Sequence, residues 1–205
     1  MTGLKKSGMS ARRAEAEMSK ALSDMTLEEL WALFPIILTE HREEWAAWYA
    51  EERQRLARIL NNDGIRISHI GSTAVAGIWA KPIIDILAEV PETVSLEAVK
   101  EALLQNGYLC MAEGPDRKSF NRGYTDAGFA ERVFHLHLRR PGDHDELYFR
   151  DYMNENPDLA KEYETLKLAL WKRFEHDRDG YTQAKTAFIT EQTRNAKARY
   201  GNRYE

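Results

Sequence analysis

A single cysteine, Cys110, is all that the 205 residues contain. That excludes an intrachain disulfide and any metal site built from several thiolates. Cys110 lies in an apolar run, Tyr108-Leu109-Cys110-Met111, and reads as a small buried side chain. No stretch approaches the ~18 consecutive apolar residues that a membrane-spanning helix needs. Behind Lys5 and Lys6 there is no apolar segment of the kind a secretory signal carries. Residues 1–22 therefore read as a flexible leader, and the chain as a cytoplasmic protein with no membrane partner. A dominant charge sign is missing too: 29 basic against 33 acidic residues leave a net charge of −4, spread along the chain. That balance gives no general drive toward nucleic acid. Also absent are the Gly-x-x-x-x-Gly-Lys-Ser/Thr loop of phosphate-binding kinases, the Gly-x-Ser-x-Gly elbow, His-Glu-x-x-His and the EF-hand loop.

What is present is the material of one folded domain over residues 23–205. A 43% hydrophobic fraction and five tryptophans argue for a packed core. Thr26-Leu27-Glu28-Glu29 has the spacing of a helix capping box, and the short helix after it should stop at Pro35. Glu43 to Leu60 carries an apolar stripe at helical spacing, with Trp45, Trp48, Tyr49 and Leu56 on one face. Ile65–Ile70 and Pro82–Val90 read as strands, the second more buried. Leu96–Asn106 reads as a helix closed by Gly107. Tyr108–Met111, Ser119–Tyr124 and Arg132–Arg139 read as further strands, the last two joined by a turn at Thr125-Asp126-Ala127-Gly128. Helices are expected over Asp145–Asn154, Pro157–Phe174 and Tyr181–Tyr200. The fold class is thus α/β (α+β): a mixed sheet of four or five strands flanked by helices, with an N-terminal helical extension and a helical C-terminal third.

The chemistry gathers around two short segments. Gly71-Ser72-Thr73, directly after a strand, lets the backbone approach a ligand and offers N–H groups and hydroxyls to a phosphate; its plainer reading is a tight turn with a serine cap. Asp85 lies within an apolar strand, where an unpaired carboxylate is costly. A Gly-Ser turn, a gap of twelve residues and such an aspartate resemble the arrangement of nucleotidyltransferase-fold enzymes, in which strand carboxylates hold the magnesium that bridges a triphosphate.

The similarity then becomes specific. Ile70-Gly71-Ser72-Thr73-Ala74-Val75, Gly77 and Ala80-Lys81-Pro82-Ile83-Ile84-Asp85-Ile86 resemble the GrpB family. So do His41 with Trp45 and Tyr49, Phe134-His135-Leu136-His137-Leu138, Phe149-Arg150-Asp151-Tyr152, and Tyr181-Thr182-Gln183-Ala184-Lys185. The match runs in order through residues 41–190 and implies a nucleotidyltransferase-like fold. It implies no settled reaction; some GrpB domains are fused to dephospho-CoA kinase. Two departures stand out. Ala76 occupies a position where the family usually has proline, and Leu87 occupies the place of the second carboxylate that active nucleotidyltransferases carry. Glu89 shares the strand face of Asp85 but lies about 13 Å further along.

His135 and His137, two apart on a strand and roughly 7 Å from each other, are candidates to complete a site with Asp85. These three are the expected catalytic and metal-ligating residues, for magnesium, manganese or zinc. Lining a pocket without metal and simply packing against helices are the alternatives for the histidines. Gly71, Ser72, Thr73, Lys81, Arg117 and Lys118 are the candidate contacts to a nucleotide or phosphorylated small molecule, and Arg150, Lys167 and Lys185 are further cations from the C-terminal helices. Two functions remain open at this point: metal-assisted nucleotidyl or phosphoryl transfer, and a degenerate module that binds a nucleotide or a protein partner without turnover.

Overall fold

The computed structural model describes residues 22–204, so the leader expected over residues 1–22 lies almost entirely outside the described residues. α1 (Leu27–Leu33) begins with the expected capping box: Thr26 accepts from the Glu29 amide, and the Glu29 carboxylate accepts from that of Thr26. It stops at Phe34, ahead of Pro35. α2 (Glu44–Leu60) is ended by Asn61, whose φ of 43° is left-handed.

Five strands form one mixed sheet: β1 (Arg66–Ile70), β2 (Ile83–Glu89), β3 (Leu109–Glu113), β4 (Arg117–Thr125) and β5 (Gly128–Arg139). Their spatial order is β1-β2-β5-β4-β3. Only β2 and β5 run parallel, and they occupy the centre of the sheet with Asp85 beside His135. α3 (Leu96–Gln105) provides the crossover between β2 and the hairpin strands.

Period two divides the sheet into two faces. Ile84, Ile86, Phe134, Leu136 and Phe120 pack against Trp45 and Leu56 of α2 and Leu103 of α3, all completely or almost completely buried. Each such side chain contributes roughly 1.5–3 kcal/mol through burial. The opposite face carries Asp85, Leu87, His135 and His137. It is covered by α4 (Asp145–Glu155), α5 (Pro157–Arg173), α6 (Arg178–Ala184) and α7 (Thr186–Tyr200). One face therefore builds the core while the other floors a site under the C-terminal helices.

Two expectations need correction. The single helix expected over Tyr181–Tyr200 is two helices that meet at Lys185. There the Thr186 hydroxyl donates to the Thr182 carbonyl, and the Lys185 amide bonds back only three residues. Side-chain competition of this kind bends helices. Cys110 is half-buried rather than buried, because β3 is an edge strand with its side chains largely exposed.

Candidate functional site

The turn after β1 is shaped by its contact with β2. Ile70 pairs with Asp85, so the next residue must pass the aspartate side chain closely. Gly71 does so with φ 72° and ψ −173°, a region that essentially only glycine occupies. A Cβ at this position would lie against Asp85 Oδ2 and 2.9 Å from Asp85 Cβ. Thr73 then pins the turn: its hydroxyl donates to the Ile83 carbonyl at 3.1 Å and meets His69 Nε2 at 3.1 Å. With its hydroxyl spent in this way, the Thr73 side chain acts as a brace for the loop. Ser72, which lines both cavities, is hydrogen-bonded to the Tyr163 phenol.

Asp85 stands between two cavities. A cleft of about 540 Å³ has Gly71, Ser72, Phe149, Tyr163 and Ile189 among its walls, with Arg194 and Lys197 at its edge. A smaller, more polar cavity of about 200 Å³ is lined by Ser72, Thr73, Lys81, His135, His137 and Arg178, with Lys167, Tyr181 and Lys185 beside them. Ser72, Asp85 and Lys185 belong to both. Burial alone would raise the Asp85 pKa, but the hydrogen bond from His135 and the positive charges nearby outweigh it and hold the carboxyl below its ordinary value. His135 Nδ1 is 3.1 Å from Asp85 Oδ1, and its Nε2 is 2.8 Å from the Tyr124 hydroxyl. His137 Nδ1 reaches Ser119 Oγ at 3.5 Å, and burial lowers its pKa.

Cations dominate the smaller cavity. Lys81 and Lys185 hold their ammonium groups 5.0 and 4.3 Å from the centre of the same Tyr181 ring. Among the described residues neither has a carboxylate within ion-pair reach or a hydrogen-bond acceptor for its ammonium. Arg178 touches Tyr124 and His135 only at 3.4 and 3.5 Å. Desolvation, then the mutual repulsion of these cations, pushes Lys81 down to about 7; desolvation likewise takes Lys185 down to about 8. Lys167, also lowered to about 7 by burial, donates to the Trp79 carbonyl. Several positive groups thus face one carboxylate, an arrangement that favours an anion.

The GrpB protein family model matches residues 35–195, well over half of the chain. The chain belongs to the GrpB family. It is 33% identical over 189 residues to the UPF0157 protein YqkA of Bacillus subtilis, a match covering 89% of this chain and 54% of that protein. The chain thus spans about half the length of YqkA. The crystal structure of conserved protein GrpB from Enterococcus faecalis superposes with a TM-score of 0.70 at 32% identity, covering 80% of this chain and 99% of that one. A structure of the Cid1 poly(U) polymerase bound to MgATP gives a TM-score of 0.50 at 9% identity, over 77% of this chain and 52% of that one. At that identity the likeness is one of fold, and the fold of this GrpB protein is nucleotidyltransferase-like.

Within this GrpB fold, Gly71, Ser72, Thr73, Lys81, Asp85, His135 and His137 converge as the sequence suggests. Arg117 and Lys118 do not. Asn121 is the residue opposite His135, and Lys118 points to the other face, where Glu97 and Glu113 pair with it at 3.2 and 2.7 Å. Arg117 stands opposite Arg139, about 13 Å along the strand from the His135 level. Arg122 is spent on buried Glu52, and Arg150 ties α4 to the His69 carbonyl at 2.8 Å. His69, lowered to about 4 by burial, stacks on Tyr49 at 4.6 Å.

The expected metal set does not fit the donors found. Among the described residues no three His, Cys, Asp or Glu side chains are arranged to hold an ion. Both His135 nitrogens are engaged, Leu87 is packed with Ile70 and Leu147, and Glu89 is bound by Arg66 and by His144 at 2.8 Å. Sequence reading missed Arg178, Tyr181 and Tyr163. Arg178, Tyr181 and Lys185 recur at helical spacing, a basic-aromatic-basic stripe that was the available signal.

Proposed function

We propose that this GrpB protein binds a phosphorylated small molecule, with a nucleotide as the leading candidate. Its phosphate would occupy the 200 Å³ cavity and its body the adjoining 540 Å³ cleft. The observation that carries this reading is the pair of ammonium groups on Lys81 and Lys185, which share one aromatic ring and face Ser72 across the cavity. Half-buried ammonium groups that outnumber the one carboxylate near them are costly in a folded protein, and a phosphate would relieve that cost through charge-assisted hydrogen bonds. Phe149 and Ile189 supply apolar walls to the cleft, as small-molecule sites usually have.

Two readings divide on the fate of the bound ligand. Transfer of a nucleotidyl or phosphoryl group would use the ionised Asp85 at the junction of the cavities. Binding without turnover is favoured by Leu87, an apolar and fully buried residue where a second carboxylate would stand. Calorimetric titration with ATP, CTP, GTP, UTP and pyrophosphate, paired with an assay for released pyrophosphate, tests both. Binding with release supports transfer, binding alone supports the module, and absence of all binding refutes the proposal.

The lysines also set a pH dependence. An anion needs their charged forms, which are lost as pH rises through about 7 for Lys81 and about 8 for Lys185. Affinity for pyrophosphate is expected to fall by about tenfold or more between pH 7 and pH 9. Stability of the ligand-free chain runs the other way. The unfolded chain keeps its lysine protons up to about 10.5, so over that window the folded state binds fewer protons and stability rises with pH. Affinity measured in parallel with denaturant unfolding at several pH values checks both signs.

A further inference from the structure

A nucleotidyltransferase-like fold normally brings a divalent ion to its phosphates, yet the donors here cannot cage one. The carboxylate partner of Asp85 is replaced by Leu87 in an apolar cluster, and His135 has both ring nitrogens occupied, by Asp85 and Tyr124. What surrounds Asp85 in place of further acids is cationic. Lys81, from the segment leading into β2, and Lys185, from the C-terminal helices, meet on Tyr181, and Arg178 closes the third side beside His135. Three cations around one carboxylate leave an excess of positive charge, which an added divalent cation would increase. Electrostatic stabilisation of phosphate oxygens by lysine and arginine clamps is chemically equivalent in kind to that by a metal ion.

We infer that the protein's own cations Lys81, Lys185 and Arg178 take the place of a divalent metal, so that the ligand's phosphates are bound metal-free. This rests on the reading above that the pocket takes a phosphorylated ligand. The ligand class sharpens accordingly: a di- or triphosphate in its uncomplexed form, whose several negative charges match the three cations. Magnesium, by masking those charges, becomes a competitor for the ligand.

Calorimetry of the full chain with inorganic tripolyphosphate, once in EDTA and once in excess magnesium chloride, tests this directly. The expected result is binding in EDTA at least as tight as in magnesium. Affinity in EDTA weaker by about tenfold or more overturns the inference and leaves the phosphate reading standing; no binding in either buffer overturns both. Asp85→Asn gives an independent arm with the opposite sign for the two possibilities. Metal-free binding predicts tighter tripolyphosphate association, because a repelling carboxylate is removed, whereas a metal held by Asp85 predicts loss. Near-ultraviolet circular dichroism of the variant, matched to that of the parent, confirms that the comparison is between folded proteins.

Discussion

Replacing Lys81 and Lys185 together by methionine is expected to weaken pyrophosphate binding by about 1,000-fold. Each truncation removes one member of a largely desolvated charge pair with the ligand, an effect of roughly 2 kcal/mol or more, and about 4 kcal/mol corresponds to a thousandfold change. The same double variant is expected to be more stable than the parent when unliganded, by roughly 1–2 kcal/mol. In the free protein these two ammonium groups rest on the Tyr181 ring and share the single carboxylate of Asp85 with Arg178, and Lys185 repels Lys81. Methionine keeps the length and apolar contact of the lysine stem without the charge. Affinity lost with stability gained is a combination that general misfolding does not produce. Calorimetry and urea unfolding on the same preparation measure the two quantities.

Gly71→Ala is expected to cost about 3 kcal/mol of stability and to abolish ligand binding. Two effects add at this position: a backbone conformation that a side chain occupies at a cost of about 1–3 kcal/mol, and overpacking, worth typically 1–3 kcal/mol. The overpacking arises because the new methyl group meets the Asp85 side chain. Gly77→Ala is the control. Gly77 also has a positive φ, of 70°, but a Cβ there would meet nothing within 4 Å. It should lose only the backbone component, about 1–2 kcal/mol, and keep the site intact. Equal losses at the two glycines, by urea unfolding, would mean that contact with Asp85 does not shape the turn.

Most of the sheet was legible because its signals are local. Apolar alternation marked β1 and a nearly continuous apolar run marked β2, and the capping box, Pro35 and Pro157 marked helix boundaries that the structure keeps. The Gly-Ser turn and the aspartate on the strand after it were legible; the close approach of Gly71 to Asp85 was not, because it depends on the pairing of Ile70 with Asp85. What misled was register. From the turn, Thr125 pairs with Gly128 and Tyr124 with Phe129, and an unbroken ladder would place Lys118 opposite His135 on the site face. Instead the next pair is Arg122 with Phe134: β4 moves back two residues while β5 advances five, a slip of three. An odd slip reverses which face a side chain takes, and Lys118 passes to the α3 side.

The break at Lys185 was hidden for a different reason. It depends on a threonine hydroxyl bonding to a carbonyl one turn earlier, and the apolar pattern of the helix does not record that. Tyr163 and Tyr181 resemble ordinary core aromatics in sequence, and both are buried. Their role as supports for Lys167, Lys81 and Lys185 depends on α5 and α6 being brought over the sheet. The family resemblance gave the fold, and the lysines over the sheet turn the proposal from a metal-held phosphate to one held by the protein's own cations.

Proton linkage gives the most direct test of that redirection. Pyrophosphate is titrated into the full chain at pH 8 by calorimetry, in two buffers of different ionisation enthalpy. If the phosphate settles between Lys81 and Lys185, their depressed pKa values rise on binding and the complex takes up protons; the double methionine variant takes up none. Binding without proton uptake, or uptake unchanged in that variant, would contradict the account.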